Sequence, residues 1–234
     1  MKKFNLSRDE IIKLHRGMER SLTAHSDEAL IQFCRLAVDD PIASNILDIG
    51  SGSGKHMRLI ESCGLNVETI DLNPKRAATY TGDYLAYMMP KQYDGVWCAH
   101  TLEHQPNVNL FLRKIHRDLK EGGILAITVP PHGVKEPADR IVGGHLTLWN
   151  AGLLLYNLIL ANYDCSNAMV RTYGYNVSVI VKKKTIVLPS DLAMDKGDIE
   201  RLTEFFPLDA RQGFDGNIQS LNWPALPFKL PSLV

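Results

Sequence analysis

The sequence predicts an α/β fold of the Rossmann-like type: a seven-stranded, mostly parallel sheet with helices on both faces and a final antiparallel hairpin. The first observation behind this is an alternation, from about residue 45 to residue 129, of short β-rich runs with helical or turn segments. Such alternation is typical of βαβ units with buried parallel strands. The second observation is the stretch 46-ILDIGSGSGKH-56, in which an apolar run leads into a glycine-rich turn. A turn of this kind lets the backbone approach a ligand closely.

Two helices are predicted before the first strand. Apolar residues recur at spacings of three and four between Leu6 and Met18, and a second apolar face follows Ser26, a residue type that favours helix N-caps. Pro41 ends this second helix. The chain is therefore expected to have three parts: a helical N-terminal cap (1–40), a main domain (41–188) and a C-terminal extension (189–234).

Four strands are expected in the first half of the main domain, and they share a short length and a β-rich composition. They are Ile46–Ile49, Val67–Ile70, Tyr93–Ala99 and Ile124–Val129. Between the last two, Asn107–Lys120 has apolar residues on one face and basic residues on the other, which predicts an amphipathic helix. Gly122 and Gly123 are expected to end that helix.

The second half of the main domain is expected to supply a loop, a helix and the final hairpin. A connection that contains Pro, Gly and His runs from Pro130 to about Gly144, which is long enough for a functional loop. An apolar helix should follow at about Leu148–Ala161, with strands near Cys165–Tyr173 and Val177–Val187.

The C-terminal extension is expected to contain a helix, Asp198–Phe206, and then a proline-rich tail. The tail keeps Phe214, Trp223 and Phe228, which favours an ordered cap or an oligomer contact. A disordered end is the alternative.

Composition excludes some classes of partner. Lys plus Arg and Asp plus Glu number 26 each, so no overall positive charge is available to hold a nucleic acid. The most apolar run, Leu153–Leu160, is far shorter than the ~20 residues of a membrane span. The first residues, MKKFNLSRDEIIK, lack the apolar core of a signal peptide, and the four cysteines are widely spaced. We therefore expect a cytoplasmic protein with no membrane span and no nucleic-acid partner.

Acidic residues accompany the glycine turn. Asp48 precedes it, where a carboxylate would repel a dinucleotide pyrophosphate but could accept a hydrogen bond from a cationic, amino-bearing ligand. Asp71 ends the second strand, which is the position of a ribose-diol acceptor in a Rossmann-like sheet. Asp83 could then reach an adenine amino group. An ordinary strand-to-helix turn and a nicotinamide-dependent dehydrogenase are the alternatives, although the latter usually has GxGxxG without the preceding Asp.

Four segments occur in order: ILDIGSGSGKH, VETIDLNP, TGDYL and YDGVWCAHTLEHQPNVNLFLRKIHRDLKEGGILAITVPP. Over about residues 40 to 187 they resemble the class I S-adenosylmethionine-dependent methyltransferases. More narrowly, they are similar to the branch that includes quinone-biosynthesis and sugar or natural-product O-methyltransferases. The resemblance implies S-adenosylmethionine as the cofactor and S-adenosylhomocysteine as a product.

The resemblance also implies which residues bind the cofactor. Gly50, Ser51 and Gly52 would lie under the methionine part, and Asp48 would support this loop or the amino group. Asp71 would bind the ribose hydroxyl groups. Four more contacts are implied: Leu72, Asp83 and Tyr84 at the adenine, and His100 at the methionyl end.

Three histidines are candidate bases for an acceptor hydroxyl group, because imidazole titrates near neutral pH and ligands bind beyond the carboxyl ends of strands. His145 is the first choice, since it follows two glycines and precedes the apolar helix; a helix-capping role is its alternative. His132 directly follows the expected strand Ile124–Val129 and could equally be an exposed loop residue without a role. His104, beside Glu103, could serve in catalysis, in structure or next to the cofactor. No carboxylate–histidine set at ligand spacing stands out, so no metal is expected.

We therefore expect O-methylation of a saccharide or another small molecule, for example in surface-glycan biosynthesis. A quinone or polyketide (natural-product) methyltransferase is the alternative within enzymes. A non-catalytic partner protein that binds S-adenosylmethionine is the alternative from a different class. The C-terminal extension could hold a homodimer together.

Overall fold

A computed structural model describes residues 26–40, 44–132, 144–195, 197–211 and 214–225. These residues form one mixed sheet of eight strands with helices on both faces. The predicted α/β class, the mostly parallel sheet and the final antiparallel hairpin are confirmed, whereas the strand number is eight rather than seven. The first predicted helix (within 1–25), most of the loop after Pro130 (133–143) and the end of the tail (226–234) lie outside the described residues.

The described chain contains five α-helices and eight strands, with two short 3-10 helices at Leu102–His104 and Thr203–Phe205. In chain order the elements are α1 (Asp27–Asp39), β1 (Asn45–Ile49), α2 (Lys55–Ser62), β2 (Asn66–Asp71), β3 (Tyr80–Thr81), β4 (Tyr93–Ala99), α3 (Val108–Asp118), β5 (Leu119–Val129), α4 (Ala151–Leu160), β6 (Met169–Tyr173), β7 (Asn176–Lys182), α5 (Asp198–Arg201) and β8 (Ser220–Leu221).

The strand order in the sheet is β3-β2-β1-β4-β5-β7-β6-β8. Strand β1 lies near the middle and pairs in parallel with β2 and with β4. Ile49, the last residue of β1, is opposite Ile70 of β2 and Cys98 of β4. The carboxyl ends of these three strands therefore meet at one edge, where open α/β sheets bind their ligands.

Several elements differ from their predicted bounds for local reasons. The two edge strands, β3 and β8, have only two residues each, which is too short to give a recognisable alternation in the sequence. Strand β5 begins at Leu119, because Leu119 pairs with Tyr93 before an irregularity in the β4–β5 register. The helix predicted at Asp198–Phe206 is divided into α5 and the 3-10 helix Thr203–Phe205.

Apolar side chains cover both faces of the sheet. On one face, Phe33 of α1 packs against Trp97 of β4 with ring centroids 5.5 Å apart. On the other face, Phe111 of α3 and Leu154 of α4 belong to the larger core cluster. Burying each of these side chains stabilises the fold by roughly 1.5–3 kcal/mol.

Ser26 stands at the N-cap of α1 as predicted, but its φ is +69° and its side chain makes no capping hydrogen bond.

The described part of the C-terminal extension returns to the main domain. Strand β8 pairs with β6, and the amide N of Gly152 in α4 donates to the carbonyl O of Gly216 at 2.8 Å. Ile218 is buried between these contacts. Within the described residues, no helix has the length and apolar character that crossing a membrane requires.

Replacing Gly152 by Ala should destabilise the protein by about 1–3 kcal/mol, as overpacking does in tight contacts. An added Cβ would lie 2.5 Å from Cα of Gly216 and 2.8 Å from Cε1 of Phe214, so the tail would have to move away from α4. Urea unfolding measures the loss. The control is Leu153→Ala, a half-exposed neighbour on the same helix, which should change stability less. Equal stability of Gly152→Ala and wild type would contradict this packing.

Candidate active site

The glycine turn after β1 has backbone angles that favour glycine. The φ angle is +74° at Gly50 and +54° at Gly52. A Cβ at Gly50 would lie 2.1 Å from Oγ1 of Thr101, whereas a Cβ at Gly52 would meet no atom of the described residues within 4 Å. Gly50 is therefore required by both its φ angle and its close contact, while the space beside Gly52 is open to a ligand.

The carboxylate of Asp71, at the end of β2, is tied to this turn. Its Oδ2 accepts a hydrogen bond from the amide N of Gly52 at 2.7 Å, and its Oδ1 accepts one from the amide N of Asn73 at 2.8 Å. Each carboxylate oxygen has a further lone pair. Asp71 can therefore fix the turn and still accept hydrogen bonds from ligand hydroxyl groups.

Asp48, two residues before Gly50, is buried with 2% of its surface exposed. Among the described residues its Oδ2 has no hydrogen-bond partner. Burial, followed by the negative charge of Asp71, raises the pKa of the Asp48 carboxyl group to about 7. A buried oxygen without a partner is costly. It fits a ligand that brings a cationic donor, as the amino group of the expected cofactor would.

A cavity of about 410 Å³ opens at the carboxyl ends of β1, β2 and β4, within the size range of small-molecule sites. Its lining combines apolar and polar groups: Ile49, Gly50, Ile70, Asp71, Leu72, Gly82, Asp83, Tyr84, His100, Thr101, His104, Gln105, Pro106 and Phe111. Of the predicted cofactor residues, Asp48, Ser51 and Gly52 are outside this described lining, in the adjoining strand and turn.

A second cavity, of about 550 Å³, lies at the opposite ends of β1 and β2, and its described lining includes none of the predicted site residues.

Tyr84 contributes an apolar wall to the first cavity. Its hydroxyl group donates to Oδ2 of Asp118 at 2.9 Å, and Nζ of Lys114 lies 4.1 Å from its ring centroid. Burial, and then the negative charge of Asp118, raises the pKa of the Tyr84 hydroxyl well above its usual value. The hydroxyl is thus engaged by the protein, and only the ring can border an adenine.

His100, directly after β4, is held from several directions. Its φ angle is +51°, and its amide N donates to the carbonyl O of Thr128 at 2.8 Å. Its Nε2 lies 3.0 Å from Oδ1 of Asn176, and its ring is parallel to that of Tyr175 at 5.9 Å. Its Nδ1 lies 3.4 Å from Oε1 of Glu103. A positive φ at a residue other than glycine is uncommon outside constrained sites, which agrees with a positioning role at the cavity.

The structure brings His104 and His145 together beside Glu103. The two imidazole rings meet edge to face with centroids 5.1 Å apart. Nε2 of His104 lies 3.8 Å from Oε1 of Glu103, which is only 1% exposed. A backbone hydrogen bond holds the segment of His145 against Glu103: the amide N of Leu146 donates to the carbonyl O of Glu103 at 2.7 Å. Of the three candidate bases, His104 lines the cavity.

His132 has a different setting. It is exposed, and its amide N donates to the carbonyl O of Trp149 at 2.7 Å. No described contact links its side chain to the cavity or to His104.

The sequence analysis did not identify Thr101 and Asn176 as site residues. Oγ1 of Thr101 donates to the carbonyl O of Ile49 at 3.2 Å, and Oδ1 of Asn176 lies 3.0 Å from Nε2 of His100. Both contacts join segments that are far apart in the chain, so no local pattern could have indicated them.

The raised pKa of Asp48 predicts a particular pH dependence of stability. Because its pKa in the folded protein is about 7, against about 4 in an unfolded chain, its stabilising effect is complete below about pH 4 and is lost as the pH rises towards 7. Asp48→Asn removes this titration. Its stability relative to wild type should therefore rise between pH 4.5 and 7.5, by at most about 4 kcal/mol.

Urea unfolding over this pH range tests the prediction, with Asp39→Asn, at an exposed position of α1, as the control. A stability difference between Asp48→Asn and wild type that stays constant with pH would show that the Asp48 carboxyl group titrates normally.

Comparisons with known proteins agree with this geometry. A family model described as a methyltransferase domain matches residues 20–157, more than half of the chain. The chain is 28% identical over 119 residues to a ubiquinone biosynthesis O-methyltransferase of Pseudomonas aeruginosa (strain UCBPP-PA14), a match that covers 44% of this chain and 51% of the relative. It is 30% identical over 102 residues to a 2-methyl-6-phytyl-1,4-hydroquinone methyltransferase of Synechocystis sp., covering 37% of this chain and 32% of that one. The chain thus spans about half the length, or less, of these curated relatives.

Solved structures share the fold. An O-methyltransferase family protein from Burkholderia thailandensis superposes with a TM-score of 0.55 at 14% identity, covering 68% of this chain and 56% of that chain. A SAM-dependent methyltransferase from Archaeoglobus fulgidus has a TM-score of 0.51 at 16% identity, with coverage of 66% and 93%. The chain therefore belongs to the methyltransferase domain family, in agreement with the resemblance of its motifs to the class I S-adenosylmethionine-dependent methyltransferases.

Proposed function

We propose that the protein transfers the methyl group of S-adenosylmethionine to a hydroxyl oxygen of a small molecule, and that this acceptor is a phenol or quinol. The observation that carries the proposal is the cavity at the carboxyl ends of β1, β2 and β4. Asp71 and the glycine turn form one end of it, and His100, Thr101 and His104 form another part. The names of two curated relatives, which refer to ubiquinone biosynthesis and to a hydroquinone, support the acceptor class.

The cofactor would be held by the residues that the motifs indicated. Asp71, already bonded to the amide of Gly52, would accept hydrogen bonds from the ribose hydroxyl groups. Oδ2 of Asp48, which has no hydrogen-bond partner among the described residues, would accept a hydrogen bond from the amino group. The turn formed by Gly50, Ser51 and Gly52 would lie under the methionine part. The adenine would lie among Leu72, Asp83 and the ring of Tyr84, which line the cavity. His100 would lie at the methionyl end of the cofactor.

When bound, the cofactor supplies a methyl carbon on a cationic sulfur, and the carbon–sulfur bond breaks as the acceptor oxygen bonds to that carbon. The protein then has two tasks: to orient the acceptor oxygen in line with the carbon–sulfur bond and to let its proton leave. We assign the second task to the side of the cavity lined by His104, which lies next to the buried Glu103 and to His145. The choice of His145, His132 or His104 as a base stays a prediction, and His104 is best placed because it lines the cavity.

Gly50→Ala should weaken the binding of S-adenosylhomocysteine by roughly 10- to 100-fold, because overpacking of this kind costs about 1–3 kcal/mol. The new Cβ would lie 2.1 Å from Oγ1 of Thr101, so the turn would have to shift. Isothermal titration calorimetry measures the affinity. Gly64→Ala is a matched control: its φ is also positive, at +84°, but a Cβ there would meet no described atom within 4 Å, and Gly64 is outside the cofactor cavity. Equal affinities of the two variants would remove the glycine turn from the binding site.

The acceptor class is tested by S-adenosylhomocysteine release from the purified protein with two acceptor pools. The first contains quinols and phenols, and the second contains nucleotide sugars and glycans. We expect release with the first pool. Release with the second pool alone would overturn the phenol or quinol assignment in favour of the saccharide expected from the sequence. Release with neither pool, while S-adenosylhomocysteine still binds, would favour the non-catalytic binding protein.

A further inference from the structure

We propose that Glu103, His104 and His145 form a binding site for a divalent transition-metal cation of the zinc class, next to the cavity. One coordinating atom of each residue lies within 4.8 Å of the coordinating atoms of the other two. The site would deepen the proposed function, on which its role in methyl transfer rests, because the bound cation would activate the acceptor hydroxyl group and His104 would act as a ligand instead of as the base. The binding of the cation itself does not depend on that function.

The three residues are held in place by backbone hydrogen bonds between two distant segments. The carbonyl O of Glu103 accepts from the amide N of Leu146 at 2.7 Å and from the amide N of Thr147 at 3.3 Å. Nδ1 of His104 lies 2.9 Å from the carbonyl O of Gly144. The 3-10 helix Leu102–His104 and the start of the segment before α4 are thus joined on both sides of His145. Such preorganisation is what a metal site requires of its scaffold.

The hydrogen bond to Gly144 fixes the tautomer of His104. A carbonyl oxygen can only accept, so Nδ1 of His104 carries the hydrogen and Nε2 presents its lone pair when the ring is neutral. Metal-binding histidines commonly donate their other ring N–H to a backbone carbonyl or a carboxylate in this way. Nε2 of His104 lies 3.8 Å from Oε1 of Glu103, so the lone pair faces another acceptor.

Glu103 is the second, independent indication of a ligand. Its side chain is 1% exposed, and among the described residues its Oε2 has no hydrogen-bond partner. Its Oε1 lies 3.4 Å from Nδ1 of His100, whose Nε2 is 3.0 Å from Oδ1 of Asn176. That Oδ1 also accepts from the amide N of Ser26, so it is an acceptor and Nε2 of His100 carries the hydrogen. When both rings are neutral, the buried carboxylate thus faces the Nδ1 lone pair of His100 and the Nε2 lone pair of His104. A cation held by Glu103, His104 and His145 would give the carboxylate the partner that its Oε2 lacks among the described residues.

The donor set selects the class of cation. Two imidazole nitrogens and one carboxylate suit zinc and neighbouring transition metals rather than magnesium or calcium, which prefer oxygen ligands. Three protein ligands leave a coordination position open. Because His104 lines the cavity, the open position would be accessible to an acceptor oxygen there. A hydroxyl group that binds such a cation has a lowered pKa, and its proton passes to solvent.

The full chain, stripped with a chelator and then dialysed, should be titrated with Zn²⁺ and Co²⁺ by calorimetry, and Co²⁺ binding followed by its visible absorption. We expect about one equivalent of bound cation, and at least tenfold weaker binding for Glu103→Gln and for His145→Gln, since even partners of metal ligands contribute 10- to 100-fold. The matched controls are Glu121→Gln and His116→Gln, which alter an exposed contact with Thr185 and should bind like wild type. Binding of S-adenosylhomocysteine by each variant checks that it is folded.

Two outcomes would overturn the metal site: no uptake of Zn²⁺ or Co²⁺ by wild type, or equal affinity in the site and control variants. Methyl transfer that proceeds undiminished after chelation would overturn the role of the cation in activating the acceptor. In the last case the proposed function would stand without the metal. Uptake that depends on Glu103 and His145, together with no methyl transfer to any acceptor pool, would support the metal site and count against the proposed function.

Discussion

The parallel pairing of β1 with both β2 and β4 is the constraint on which the rest of the site depends. Because Ile49 is in register with Ile70 and with Cys98, the chain leaves all three strands at the same level of the sheet. The three aligned residues are followed, one or two positions later in the chain, by Gly50, Asp71 and His100. The hydrogen bond from Gly52 to Asp71 then fixes the turn against the second strand. Without this alignment the acidic residues and the histidines would not share a cavity.

The placement of the proposed cofactor residues was largely predictable from the sequence. Asp48, the glycine turn and Asp71 occur within a short stretch of chain, and their position beside a ligand site follows from the general geometry of strand ends in parallel sheets. The first four long strands were also predictable, since their apolar runs are continuous. Their bounds differ by at most one residue, apart from the early start of β5 at Leu119.

The acceptor side could not be predicted in the same way. His104 and His145 are far apart in the sequence, and they meet only because the segment at Gly144 and Leu146 bonds to the backbone around Glu103. A carboxylate–histidine set assembled in this manner has no characteristic spacing. For the same reason, sequence spacing alone led to the expectation of no metal. Short edge strands such as β8 escape prediction too, because two residues carry no period.

The return of the C-terminal tail also has a consequence for self-association. Strand β6 would be an open sheet edge if β8 did not pair with its Val170 and Arg171. Open edges are the places where sheets join edge to edge, and natural proteins cover them with short strands. The described tail therefore covers part of the sheet edge at which two copies of the chain would otherwise be able to pair into one continuous sheet. A homodimer built on this extension would have to use side-chain packing instead of shared strand pairing at that position.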